Sequence, residues 1–150
     1  MLLKNPNKVS WEEFDSLAKD IYNQVLASNT CFDSIIGIAR GGLFLSSYLA
    51  YQLSIKKLYV INTQLYSDKK LITPHILYYP ENIKLNNVLV VDDILDTGST
   101  YHLLYDLLSS ISSRFSWAVL IDKAKSNIQA DFTGITLSQD VWVEFPWNKS

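Results

Sequence analysis

The chain has 150 residues, 48% of them hydrophobic and 13% aromatic, which is enough for one domain built on a single well-buried sheet and excludes a disordered chain. A formal net charge of −2 supplies no basic face for nucleic acid. Cys31 is the one cysteine, so neither a disulfide framework nor a cysteine metal cluster is available; no run reaches membrane-spanning length and no signal peptide is evident at residues 1–6, so the expected setting is the cytoplasm, without integral membrane association.

In chain order, Ser10-Trp11-Glu12-Glu13 matches a capping box, with Ser10 at the N-cap and Glu13 three residues on. Trp11, Phe14, Leu17, Ile21, Val25 and Leu26 then mark one face of a helix ending near Ser28. Such a stripe is core, and no chemistry is assigned to it. Residues 33–39 read as a buried strand and 43–53 as the helix after it, with Arg40-Gly41-Gly42 between them. Of the five glycines, three are Gly37, Gly41 and Gly42, and a fourth is Gly98. In a glycine-poor chain, that placement suggests close approach of backbone to a ligand at two loops. The Arg40 guanidinium offers a planar donor fork suited to phosphate oxygens. For this motif in isolation, a plain β–α turn with a solvated arginine explains the residues equally well.

Residues 58–62 read as the next strand. Residues 64–80 are less regular, with Ser67-Asp68-Lys69-Lys70 as a polar tip and a short apolar strand over 75–79. His75 and His102 show no metal-ligand spacing and read as structural. In Val88 to Thr100 an apolar, β-branched run meets Asp92 and Asp93, followed by Asp96-Thr97-Gly98-Ser99-Thr100 and a helical spacing over 101–108. The order strand, polar loop, helix places this loop at the carboxyl end of a buried strand, where such folds bind ligands. Residues 97–100 bring backbone N–H groups, hydroxyls and a helix N-terminus to one point, which suits a phosphate. Asp92 and Asp93 beside it need a partner such as Mg²⁺ or ribose hydroxyls; the plainer alternative is that they end a strand and that Ser99 caps the helix. Residues 116–121 form a further strand, followed directly by Asp122 and Lys123. Four strands alternating with two or three crossover helices predict an α/β fold with a parallel sheet.

Asp92-Asp93-Ile94-Leu95-Asp96-Thr97-Gly98-Ser99-Thr100 closely resembles the phosphoribosyl diphosphate signature of type I phosphoribosyltransferases, without a gap. Ser99 stands where purine enzymes often carry Gly. Ala39-Arg40-Gly41-Gly42 resembles the diphosphate loop of the same family, often Ser-Arg-Gly-Gly, in which the peptide before the arginine is often a non-proline cis bond. Asp140, Trp142, Glu144, Pro146 and Trp147 resemble the purine-pocket segment of the bacterial xanthine-guanine branch. The likeness covers most of the chain; residues 64–80 diverge.

The resemblance implies one domain over residues 1–150: a five-stranded parallel core flanked by helices, with a small hood and flap subdomain. It implies transfer of 5-phosphoribosyl from phosphoribosyl diphosphate to a 6-oxopurine in purine salvage, with Mg²⁺ as cofactor and a homodimer or homotetramer as the assembly. Arg40 and Gly41 would hold the diphosphate, with Lys69 or Lys70 delivering a cation from the flap. Asp92 and Asp93 would hold the ribose hydroxyls and the metal, with Asp93 as metal ligand. Thr97, Gly98, Ser99 and Thr100 would hold the 5′-phosphate. Asp96 would touch both substrates and manage the proton at purine N7, while Lys123, Trp142 and Val143 complete the base site. A flat indole at Trp142 can stack on a purine, and a Lys123 ammonium facing the 6-oxo group would select against adenine. Trp147 is read as core. Two alternatives stay open: a phosphoribosyltransferase for another base, and a regulator that binds phosphoribosyl diphosphate without turnover.

Overall fold

The computed structural model describes residues 2–67, 70–123, 128–138 and 140–149. In chain order the elements are α1 (Trp11–Ala27), β1 (Ser34–Ala39), α2 (Gly42–Gln52), β2 (Leu58–Ser67), β3 (Lys70–Tyr78), β4 (Leu85–Leu95), α3 (Ser99–Ile111), β5 (Ser112–Asp122) and β6 (Phe132–Thr136). The strands form one sheet in the order β3-β2-β1-β4-β5-β6. Every pairing is parallel except β2 with β3. The expected five-stranded parallel core is therefore present, with a sixth, antiparallel strand added at one edge. That addition corrects the irregular reading of residues 64–80. Ile72, Pro74 and Ile76 are half-buried while Thr73, His75 and Leu77 between them are exposed, and this alternation pairs β3 onto β2. Register shifts at 62–66 break the pattern that would have announced a strand.

Both sheet faces are covered, and the strand residues divide between them by parity. Ile35, Leu89, Val91, Ala118 and Leu120 join Leu17, Ile21 and Val25 of α1 and Leu45 and Leu49 of α2. Ile36, Ile38, Val88, Val90 and Trp117 join Leu104, Leu108 and Ile111 of α3. A strand buried on both sides reads as an unbroken apolar run, and residues 88–91 of β4 are fully buried. The α1 stripe holds in its centre and fails at its ends. Trp11 and Leu26, in its first and last turns, are each 52% exposed. The Trp11 ring instead lies against Phe14, Phe44 and Trp147, with centroids 5.7–6.0 Å away.

The capping box is complete: Ser10 N–H donates to Glu13 Oε2 at 2.8 Å and Glu13 N–H donates to Ser10 Oγ at 3.1 Å. Lys4 N–H donates to Glu13 Oε1 at 2.8 Å. The backbone donors of Ser10 and Lys4 hold this buried carboxyl below its ordinary range. Glu13→Ala would strand both N–H groups, and it should cost about 1–3 kcal/mol in urea unfolding at pH 7. A lowered folded-state pKa means the contribution is present above the unfolded value, about 4.3, and is lost as pH falls through the folded one. The deficit of the variant should therefore shrink at acid pH; equal unfolding midpoints at pH 7 would contradict the role.

Candidate functional site

The crossover through α2 lies on one face of the sheet and the crossover through α3 on the other. The strand order reverses between the parallel neighbours β1 and β4, and a crevice opens at their carboxyl ends, the place where such sheets bind ligands. A cavity of about 310 Å³ occupies that crevice, lined by residues 38–41 and 92–101, by Lys123 beyond β5, and by Trp142, Val143, Phe145 and Asn148.

At the first loop the Ala39–Arg40 peptide is cis. A Cβ on Gly41 would lie 1.9 Å from Asp93 Oδ2, and one on Gly42 would lie 2.5 Å from the Val91 carbonyl oxygen. Only glycine lets this loop lie directly on the end of β4. The Arg40 side chain is exposed at the cavity rim. At the second loop Gly98 takes φ 83° as the N-cap residue of α3, a left-handed conformation open to glycine. Thr97 Oγ1 and Ser99 Oγ are 2.7 Å apart, and Ser99 N–H donates to Thr97 Oγ1 at 3.3 Å. The hydroxyls thus gather at the first turn of α3, whose leading N–H groups have no intrahelical acceptor.

Between the loops, Asp93 N–H donates to Asp92 Oδ1 at 2.8 Å. Burial, and then the neighbouring Asp93 charge, push the Asp92 carboxyl well above the usual carboxylate range. Burial also raises Asp93. Among the described residues no lysine or arginine pairs with either. Two hard oxygen donors without a cation suit Mg²⁺, and no third candidate ligand gathers with them among the described residues. A metal there would complete its shell with substrate oxygens and water, as Mg²⁺ does at phosphate-handling sites.

At the far end, the Lys123 side chain is 6% exposed and its Nζ lies 3.8 Å from Asp96 Oδ2. Lys123 N–H donates to the Leu95 carbonyl at 2.9 Å, which ties the ends of β4 and β5 together. Trp142 is 61% exposed at the cavity mouth, whereas Val143 and Phe145 are buried. The closing segment is pinned to the start of the chain, since Val9 N–H donates to Glu144 O at 2.9 Å and Glu144 N–H to Asn7 O at 2.8 Å. Trp147 is core, as read: it stacks on Phe44 at 4.4 Å and on Phe145 at 4.8 Å.

Arg40, Gly41, Asp92, Asp93, Asp96, residues 97–100, Lys123, Trp142 and Val143 thus meet around one cavity. Lys70 starts β3, exposed and apart from the lining; Lys69 lies outside the described residues. His75 and His102 are exposed and do not line this cavity. Thr63, Leu65, Tyr101, Trp117, Val119, Phe145 and Asn148 also line the cavity, and the sequence singled out none of them. For Phe145 and Asn148 the available signal was their position inside and just past the 140–147 run.

The phosphoribosyl transferase domain family matches residues 5–149. A xanthine-guanine phosphoribosyltransferase of Nitratidesulfovibrio vulgaris is 28% identical over 140 residues, 93% of this chain and 83% of that protein. Among solved structures, a purine phosphoribosyltransferase from Pyrococcus horikoshii is similar with a TM-score of 0.81 at 25% identity, covering 96% of this chain and 94% of that one. A Neisseria gonorrhoeae protein with bound ppGpp is similar with a TM-score of 0.79 at 25% identity, covering 95% and 90%.

Proposed function

This chain belongs to the phosphoribosyl transferase family, and from that premise we propose that it joins 5-phosphoribosyl from phosphoribosyl diphosphate to a 6-oxopurine. The candidate bases are guanine, xanthine and hypoxanthine, and the products a nucleoside 5′-monophosphate and diphosphate. The observation that carries this reading is the buried Lys123 ammonium beside Asp96, at the end of the cavity walled by the Trp142 indole. Those groups match a flat base with an acceptor at its 6-position. Purine salvage in the cytoplasm, as a homodimer or homotetramer, is part of the same proposal.

The two loops divide the other substrate between them. The α3 N-terminus and residues 97–100 hold the 5′-phosphate, and Arg40 with the Gly41 N–H holds the diphosphate. Asp92 and Asp93 hold the ribose hydroxyls, and Asp93 with Asp92 would hold Mg²⁺. When bound, that ion would neutralise charge on the leaving diphosphate. The purine N9 lone pair forms the bond to ribose C1′ as the C1′–oxygen bond to diphosphate breaks, and Asp96 receives the proton released from N7. The transition state has oxocarbenium character, so the contribution of the chain is positioning, fixed charge and exclusion of water. The β2–β3 hairpin stands beside the crevice and supplies Thr63 and Leu65 to its wall.

Given Mg²⁺, phosphoribosyl diphosphate and a 6-oxopurine, the protein should release nucleotide and diphosphate in equal amounts. Excess chelator should stop turnover while leaving the melting temperature of the free protein unchanged, because the ion arrives largely with the substrate. Full activity in chelator would contradict the metal assignment, and release of diphosphate without nucleotide would contradict the transfer.

A further inference from the structure

We propose that Glu13 is a positioning residue: its carboxylate clamps residues 4–10 into a brace that holds the closing segment of the chain against the cavity, and the affinity for the base depends on that hold. The inference rests on the reading above that the base lies at the Trp142 end of the cavity. Glu13 itself sits in the first turn of α1, buried and apart from the cavity lining.

The two carboxylate oxygens divide between the ends of one stretch of chain. Oε1 accepts the Lys4 N–H and Oε2 the Ser10 N–H, each at 2.8 Å. Bonds from backbone N–H to a carboxylate are of the stronger, charge-assisted kind. Between the clamped ends, Lys8 N–H donates to Asn5 O at 3.0 Å, and Val9 is fully buried. The middle of this strap clasps Glu144. Lys8 and Glu144 form a parallel bridge, in which Val9 N–H donates to Glu144 O at 2.9 Å and Glu144 N–H to Asn7 O at 2.8 Å.

Among the described residues, the backbone of 140–149 bonds to the rest of the chain at Glu144 alone. This segment contributes no helix and no strand to the sheet, so its place is set by the clasp and by the ring of Trp147. That ring meets Trp11 at 6.0 Å and Phe14 at 5.7 Å, both in the same first turn of α1 as Glu13, and it stacks on Phe44. Val143 and Phe145, on either side of the clasped residue, are buried and line the cavity. A wall already held in place need not be ordered when its ligand arrives, whereas a released one must be. Loss of the brace therefore weakens the base and spares phosphoribosyl diphosphate, whose two loops are carried by β1, β4 and the helices that follow them.

The test is steady-state kinetics of Glu13→Ala and Glu13→Gln with a 6-oxopurine that the wild-type protein converts, beside calorimetric binding of phosphoribosyl diphosphate. Glu13→Ala should raise the KM for the base by about 10-fold, the scale of one or two lost backbone hydrogen bonds, with kcat and the dissociation constant of phosphoribosyl diphosphate within about twofold of wild type. Glu13→Gln keeps one acceptor oxygen for the two donors and should fall between. A residue that only adds stability would lower the active fraction, and so kcat, without moving that KM. Hydrogen exchange supplies a readout independent of the base: in both variants the Val9 and Glu144 amides should quicken ahead of those in β4 and α3. An unchanged KM for the base, a loss of affinity shared by both substrates, or exchange that quickens evenly along the chain overturns the proposal. Should Glu13→Ala not fold, Glu13→Gln decides by the same readouts. Wild-type protein that converts no 6-oxopurine would overturn the base reading, and exchange at Glu144 would then decide separately whether Glu13 holds the segment.

Discussion

Asp96→Asn should lower kcat by about 10²–10⁴-fold, the usual size of a positioned proton acceptor, while phosphoribosyl diphosphate binds nearly as before. Asp96 sits between the end of β4 and the turn that starts α3, with its carboxylate 3.8 Å from the Lys123 ammonium. In the proposed reading that position serves the base, whereas the phosphate contacts fall to residues 97–100. Asparagine preserves the shape and can still accept a hydrogen bond, but it cannot take up the N7 proton. The loss should therefore appear in kcat far more than in the dissociation constant of phosphoribosyl diphosphate measured by calorimetry. An Asn variant with near-native kcat would remove Asp96 from proton handling.

Lys123 should carry the second large effect. If the buried ammonium meets a 6-oxo group as proposed, it is left facing another donor when adenine enters, and a polar site of this kind can reject the mismatched analogue by about 10⁴-fold. Lys123→Met keeps the reach and apolar stem of the side chain and its backbone bond to Leu95. The kcat/KM for 6-oxopurines should then fall by about 10²-fold or more, and discrimination against adenine should largely collapse. The ratio of the two kcat/KM values is the readout. A variant that still excludes adenine as strongly as the wild-type protein would move the choice of base to another residue.

The two loops that meet at the crevice could be read from the sequence because each is local. A β-branched run, two carboxylates, a glycine and hydroxyls fall within thirteen residues, and backbone rules alone place them at the end of a strand. The parity of Val88 to Val91 likewise shows a strand covered on both faces. β6 was hidden for a physical reason: it is a five-residue edge strand with Gly134 at its centre and only Phe132 buried. A Cβ on Gly134 would lie 2.6 Å from the Leu120 carbonyl and 3.1 Å from Leu17 Cβ, so this glycine lets α1 lie close over β5 and β6. That requirement exists only after folding.

The other end of the cavity was anticipated in part. Lys123 follows a strand end, and the resemblance of residues 140–147 to a purine-pocket segment marked Trp142 and Val143, which line the cavity. The place of Phe145 and Asn148 in the cavity wall goes with the Phe44–Trp147 stack, which joins residues about a hundred positions apart in the sequence. Thr63 and Leu65 reach the wall only because β2 pairs with β1 in one register. Trp11 and Leu26 show the converse, since helical periodicity marks a face without saying how much of it the rest of the fold covers.

The most direct measurement is a base panel: kcat/KM for guanine, xanthine, hypoxanthine, adenine, uracil and orotate, each with saturating phosphoribosyl diphosphate and Mg²⁺, following nucleotide formation. One or more of the three 6-oxopurines should be converted, with adenine, uracil and orotate lower by orders of magnitude. Adenine or orotate as the best substrate, or binding of phosphoribosyl diphosphate with no base converted, would contradict a 6-oxopurine phosphoribosyltransferase.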